Sequence, residues 1–267
     1  MGGSMRRIAF LNEKGGTCKT TLAVNLAAWL VRAQGQKVLL CDLDTQGHAG
    51  KSLGLDVRGM SPTIHDLLVD GRLPLSSVVR TTAIPGLDVL PSNKSIAEFP
   101  ERVAGALDRA SRLANRLRGL QGYDAILFDC PPSMGLSTLN VMVAAEEIVV
   151  PVGLTYFSLD GCAEILDTVR RVREEQSHPT LRVSLVVPTL YRKTALADEI
   201  LERLRQRFPE ELSATVLGYN VRIDEAQSHG KTIWEYAPTS KGAQMLAAIG
   251  QELLERGRPR SRRAAAS

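Results

Sequence analysis

Short β-branched and apolar runs alternate along the chain with longer stretches in which apolar residues recur every three or four positions. The runs predict strands at Arg6–Asn12, Lys37–Asp42, Leu87–Pro91, Ala125–Asp129, Glu147–Val152, Leu181–Val187 and Ala214–Leu217. Several, such as Val38-Leu39-Leu40 and Ile126-Leu127-Phe128, are apolar without interruption, as expected of strands covered on both faces. The periodic stretches predict helices over Lys19–Gln34, Glu101–Gly119, Ser137–Ala145, Ser158–Glu175, Thr194–Phe208 and Ser240–Arg256. In Glu101–Gly119 the residues Val103, Leu107, Ala110, Ala114 and Leu117 form one helical stripe, and the last helix turns Met245, Leu246, Ile249 and Leu253 toward the core. Strand and helix alternate without a repeat or a composition break. This predicts a single α/β domain over residues 5–256, with a mostly parallel, twisted sheet flanked by helices. Ligands of such sheets lie outside the carboxyl ends of the strands, so the chemistry belongs just after each strand.

Composition narrows this picture. With 267 residues, 44% of them apolar, the chain can build one sizeable core, burying roughly 75% of the surface its unfolded form exposes. No apolar run approaches the roughly 20 residues that span a bilayer, and Met1-Gly2-Gly3-Ser4 is no signal segment. The chain therefore reads as soluble and cytoplasmic, with Met5 as the native start and residues 1–4 a remnant. Cys18, Cys41, Cys130 and Cys162 form no C-x-x-C pair, which argues against a zinc site or a disulfide framework. The net charge is only +4, but Arg256, Arg258, Arg260, Arg262 and Arg263 crowd the end. Residues 257–267 read as a basic, disordered tail that is either simply solvated or in weak contact with polyanions.

After the first predicted strand comes Lys14-Gly15-Gly16-Thr17-Cys18-Lys19-Thr20-Thr21, leading directly into a helix. Glycines let backbone N–H groups turn around phosphate oxygens, and the helix N-terminus adds a positive dipole end. Lys19 would neutralise β/γ-phosphate charge, and the Thr20 hydroxyl would ligate Mg²⁺. The common G-x-x-x-x-G-K-[ST] pattern fails, because Glu13 and Cys18 occupy its glycine positions; the variant K-G-G-x-x-K-[ST] fits. Cys18 reads either as a small residue tolerated in the loop or, because a helix N-terminus lowers a thiol's pKa and bound phosphates would raise it again, as a thiol that is oxidant-sensitive when ATP is absent.

Asn12–Thr21, followed by Asn25-Leu26-Ala27-Ala28, resembles the ParA/Soj branch of the ParA/MinD ATPases, and the resemblance runs from about Arg6 to Arg256. It implies an ATP- and Mg²⁺-dependent ATPase that forms an ATP-sandwiched homodimer. Lys14 would reach across that dimer to the partner's phosphates. The second predicted strand ends in Asp42-Leu43-Asp44-Thr45-Gln46-Gly47, similar to the family's D-x-D-P-Q-G with Thr45 in place of proline. The resemblance makes Asp44 the residue that positions the attacking water, in a switch loop with Thr45 and Gln46, while Asp42 supports Mg²⁺ or the loop. Asp129-Cys130-Pro131-Pro132 matches the family's D-x-P-P element. Asp129 would hold Mg²⁺ through water, and Pro131 and Pro132 would stiffen a second switch.

Late in the chain, Thr189 and Tyr219 fall in loops that face adenine in the family, although a plain strand-end turn explains Thr189 equally well. The stretches Asn220–Lys231 and Tyr236–Ala243 resemble the family's C-terminal region, which contributes to a basic surface for non-specific DNA. Arg222 is the foremost candidate there. Lys231 and Lys241 read equally well as ordinary surface charges. A ParB-like activator and association with the nucleoid follow from the same resemblance. Two other classes share the loop. A MinD-like membrane-surface ATPase needs a bulky amphipathic C-terminus, which Arg256-Gly257-Arg258-Pro259-Arg260 does not provide. An iron protein needs paired cluster cysteines, and Cys130 and Cys162 make no evident pair.

Overall fold

The computed structural model describes residues 5–155 and 158–257. The expected remnant at residues 1–4, the tail residues Arg258, Arg260, Arg262 and Arg263, and the Cys162 side chain lie outside the described residues. The strands are β1 (Arg6–Phe10), β2 (Val38–Asp42), β3 (Arg80–Thr81), β4 (Leu87–Leu90), β5 (Ala125–Asp129), β6 (Glu147–Gly153), β7 (Arg182–Tyr191) and β8 (Leu217–Gly218). They form an eight-stranded sheet in the order β3-β4-β2-β5-β1-β6-β7-β8. Every pairing is parallel except β3 with β4. The expected α/β architecture is the one observed.

The helices are α1 (Lys19–Gln34), α2 (His48–Ser52), α3 (Ile64–Val69), α4 (Phe99–Arg102), α5 (Arg112–Arg116), α6 (Leu136–Ala144), α7 (Ser158–Glu175), α8 (Ala195–Arg207), α9 (Val221–Ser228), α10 (Ile233–Tyr236) and α11 (Lys241–Gly257). Alternating strand residues split the core in two. Ile8, Phe10, Leu40 and Leu127 pack with α1, α9, α10 and α11, whereas Ala9, Leu39, Phe128 and Ile148 pack with α3, α5, α6, α7 and α8. The apolar stripe of α11, with Leu246, Ile249 and Leu253, is buried in the first of these layers. Among the described residues, no helix is long and apolar enough to cross a membrane.

Two expectations need correction. Glu101–Gly119 is not one helix: α4 ends at Arg102, α5 begins at Arg112, and Leu107 is fully exposed. At the α5 side of the gap, the buried Asn140 of α6 takes the place of a helical bond. Its Nδ2 donates to Arg109 O at 2.8 Å, and its Oδ1 accepts from Leu113 N at 3.1 Å. A continuous helix would have bonded that N–H to that carbonyl. The predicted strand Ala214–Leu217 shrinks to Leu217–Gly218 for a related reason. The Glu252 carboxylate of α11 captures the Ala214 and Thr215 N–H groups at 2.9 and 3.0 Å.

Candidate nucleotide site

The central strand β1 runs straight into the glycine loop. Asn12, buried at its exit, staples the loop in place: its Nδ2 donates to Pro151 O at 2.7 Å, and its Oδ1 accepts from Lys14 N at 2.9 Å. Thr189 also holds the loop, donating to Thr17 O at 3.2 Å. Cys18 adopts φ 68°, in the left-handed region, at the N-cap of α1. The backbone here thus keeps the geometry that the commoner motif assigns to glycine, and a residue with a Cβ bears a cost of roughly 1 kcal/mol.

Around the loop opens a cavity of about 720 Å³. It is lined by Gly15, Gly16, Thr17, Cys18, Lys19, Thr20 and Thr21 of the loop and by Asp44, Gln46 and Pro132. Lys19 is buried, and its Nζ donates to Lys14 O at 2.9 Å, bridging the two ends of the loop. Burial lowers the Lys19 pKa, with Asp129 foremost among the charges that oppose the shift. Lys14 is half-buried at the loop's start.

Asp42 and Asp129 are register partners at the ends of β2 and β5, and both are completely buried. Burial first, and then the neighbouring carboxylate, raises the Asp129 pKa well above the usual range, against the pull of the Thr20 hydrogen bond. Burial likewise raises that of Asp42, against the backbone N–H groups it accepts. Asp129 Oδ2 accepts from Thr20 Oγ1 at 2.6 Å, while its Oδ1 is buried without a hydrogen-bond partner. A buried, unpartnered carboxylate oxygen beside a P-loop hydroxyl suits a hydrated divalent cation, so the residues present fit Mg²⁺. Asp42 divides its oxygens between Asp44 N at 2.9 Å and Ala49 N at 3.0 Å. Both bonds tie the end of β2 to the turn and helix that follow it.

Asp44 is half-buried on the cavity wall, accepting from Gln46 N at 3.0 Å in a short turn. The turn closes at Gly47, with φ 60°, where an added Cβ would meet Ser92 O at 2.5 Å and Val57 Cγ2 at 2.7 Å. Only glycine tolerates both the conformation and the approach. Thr45 is half-buried beside Asp44, Pro131 is buried, and Pro132 is exposed.

The structure separates some predicted site residues. Thr189 is wholly buried beneath the loop, so its hydroxyl positions backbone rather than facing a base. Tyr219 is 50% exposed, and the Arg192 guanidinium lies 5.2 Å over its ring. Cys18 also departs from expectation: burial, and then Asp224, pushes its thiol up to about 11, outweighing Thr189 and Lys19. An oxidant-sensitive thiolate does not follow from this environment. Arg222 and Lys241 are exposed on the first turns of α9 and α11, whose starts pack together through Asn220 and Gly242. Lys231 is exposed beyond the other end of α9, about 12 Å along the helix. The sequence reading missed His48, Lys51, Ser52, Gln227 and Ser228 on the cavity wall. Gln227 sits inside the stretch read for its basic residues, and only the fold brings it to the loop.

A glycine loop between a central parallel strand and a helix, with Lys19 and Thr20 lining one cavity and Thr20 bonded to the buried Asp129 behind it, defines a P-loop ATPase. Residues 5–183 match the AAA domain family. The chain is 42% identical over 253 residues to the chromosome-partitioning ATPase Soj of Thermus thermophilus, spanning 94% of this chain and 96% of that protein. It is 35% identical over 251 residues to the sporulation initiation inhibitor protein Soj of Bacillus subtilis, spanning 94% and 98%. Among solved structures, cobyrinic acid a,c-diamide synthase of Mycobacterium smegmatis with ATP analog and magnesium superposes with a TM-score of 0.82 at 29% identity, over 94% and 95% of the two chains. The chain belongs to the ParA/Soj family of chromosome-partitioning ATPases.

Proposed function

We propose that this ATPase is a nucleotide-gated switch: ATP closes a homodimer, the dimer holds DNA without reading its sequence, and hydrolysis releases it. The observation that carries this reading is the half-buried Lys14 at the start of a phosphate loop whose second lysine, Lys19, is already turned inward. Two lysines facing one another across subunits repel, and bound triphosphate supplies the charge that reverses the sign. ATP phosphates would lie along Gly15–Thr21, with Lys19 neutralising charge. Mg²⁺, held by Thr20 and, through water, by Asp129, would supply further neutralisation of the phosphates. Asp44, on the cavity wall, would orient the attacking water. Arg222, with Lys241 beside it and Lys231 farther along, would meet DNA phosphates, and pairing two subunits doubles the counterions released. ATP and DNA then favour the same dimer, so each strengthens the other's binding. A ParB-like partner would accelerate hydrolysis, and the ATP-bound form would be associated with the nucleoid in the cytoplasm. The apolar face of α11 is occupied by the core, which leaves no bulky face there for a membrane. The test is sedimentation of Asp44→Ala with ATP and Mg²⁺. A dimer that retains DNA is expected, and single chains under saturating nucleotide would overturn the proposal.

A further inference from the structure

Helix α9 has two ends with different surroundings. Its first turn carries the exposed Arg222, which donates to Glu225 at 2.8 Å; Tyr236 of α10 donates to the same carboxylate at 3.3 Å. Its last turn forms part of the nucleotide cavity through Gln227 and Ser228. There Gln227 Nε2 donates to Thr21 Oγ1 at 3.1 Å, across 206 residues of sequence. One turn further along α1, Asn25 donates to Thr21 O at 2.8 Å and holds α10 by accepting from Ile233 N at 2.9 Å and, at its carbonyl, from Trp234 Nε1 at 2.8 Å. The α9–α10 segment thus hangs on two successive turns of the P-loop helix.

A hydroxyl has one proton and two lone pairs. When Thr21 Oγ1 accepts from Gln227, its own proton is left for another acceptor, and a donor on the oxygen strengthens the bond that proton makes. Thr21 lines the cavity at the end of the phosphate loop, so a nucleotide bound there would offer that acceptor. We infer that Gln227 is a positioning residue for ATP: it orients the Thr21 hydroxyl as a phosphate donor, and through the same hydrogen bond it sets the station of α9, which carries Arg222. The inference rests on the proposed reading that ATP fills this cavity and that the Arg222 end of α9 meets DNA.

The experiment measures binding of a fluorescent ATP analogue, with Mg²⁺, to wild type, Gln227→Leu, Gln227→Glu, Thr21→Val and the Gln227→Leu/Thr21→Val double variant. Loss of one hydrogen bond weakens binding about two- to tenfold in Gln227→Leu. In the double variant the two losses should not add, because the residues act through one bond. Gln227→Glu keeps the side-chain shape but reverses its polarity. A carboxylate draws the Thr21 proton away from the cavity and places negative charge beside the phosphates, so this variant should bind more weakly than Gln227→Leu. A purely packing role predicts the opposite order. Unchanged melting of the nucleotide-free variants separates the effect from misfolding. Additive losses, or Gln227→Glu binding as well as wild type, overturn the inference. In parallel, the factor by which ATP raises DNA affinity should fall in Gln227→Leu at saturating ATP. If wild type shows no such factor, the DNA reading fails by itself, and the nucleotide measurements still decide the role of Gln227.

Discussion

Thr20 Oγ1 donates to Asp129 Oδ2 at 2.6 Å, joining the first turn of α1 to the end of β5. This bond fixes which carboxylate oxygen is taken and which, Oδ1, remains unpartnered in the interior. Asp129→Asn keeps the shape and one acceptor oxygen but removes a carboxyl group whose ionisation burial and Asp42 both oppose. It also removes the anion that would hold hydrated Mg²⁺. The ATP affinity measured with Mg²⁺ should fall about 10- to 100-fold, while the affinity without Mg²⁺ stays unchanged. Calorimetry with and without Mg²⁺ measures both, and unchanged affinity would remove Asp129 from the metal site.

Asn140 should be a stability residue with no role in the cavity. Replacing it by Leu strands Arg109 O and Leu113 N and removes the bond to Leu136 O as well. Urea unfolding should register a loss of about 2–4 kcal/mol. A neutral result would mean that residues 103–111 can re-form a helix through the gap.

At Gly250, α11 lies against Trp29 of α1 so closely that an added Cβ would fall 2.5 Å from Cε3. Gly250→Ala should cost about 1–3 kcal/mol by overpacking, even though alanine is the better helix former. A stabilised variant in thermal melts would show that the two helices can separate freely.

The raised pKa of Cys18 carries a sign that alkylation kinetics can read. A thiol held near 11 stays protonated at neutral pH, so its iodoacetamide rate should still climb about tenfold per pH unit at pH 9.5, where an ordinary thiol has begun to level off. Levelling near pH 8 would mean that the helix end prevails over burial and Asp224.

Arg222 is exposed and pairs with a partly exposed Glu225, an arrangement that contributes little to stability. Arg222→Glu should therefore melt like wild type and dimerise with ATP while losing DNA. If Arg222 makes one phosphate contact per subunit, the salt slope of any residual binding should drop by about 2 per dimer. Normal retention in a gel shift would move the DNA surface elsewhere.

The parallel sheet, the phosphate loop and the Asp42, Asp44 and Asp129 strand ends were legible along the chain because each depends on local pattern: an uninterrupted apolar run, then glycine or an acid where the strand stops. The loop's function was legible for the same reason, since Lys14–Thr21 carries its chemistry in consecutive residues. What local pattern could not reveal were side chains that replace backbone partners from a distance. Asn140 takes the place of a helical bond in a stretch whose own stripe of apolar residues favoured one helix. Glu252 shortens a strand by capturing its N–H groups.

The environment of Cys18 was likewise decided by the fold. Its place before a helix argued for a reactive thiolate, but Asp224 and the overlying structure come from the other end of the chain. Gln227 is the sharpest case, because nothing beside it in sequence distinguishes it from a surface amide. By itself the sequence determined the alternation of the main strands and helices and the identity of the phosphate loop, since these follow from repeating polarity and from adjacent residues, whereas the short β3, α2, α3, α9 and α10 went unread. Tertiary structure alone decided that α9 would end on the P-loop helix, that Thr189 would be buried beneath the loop, and which buried oxygens would lack partners. Those outcomes depend on contacts between segments many residues apart, and no periodicity encodes them.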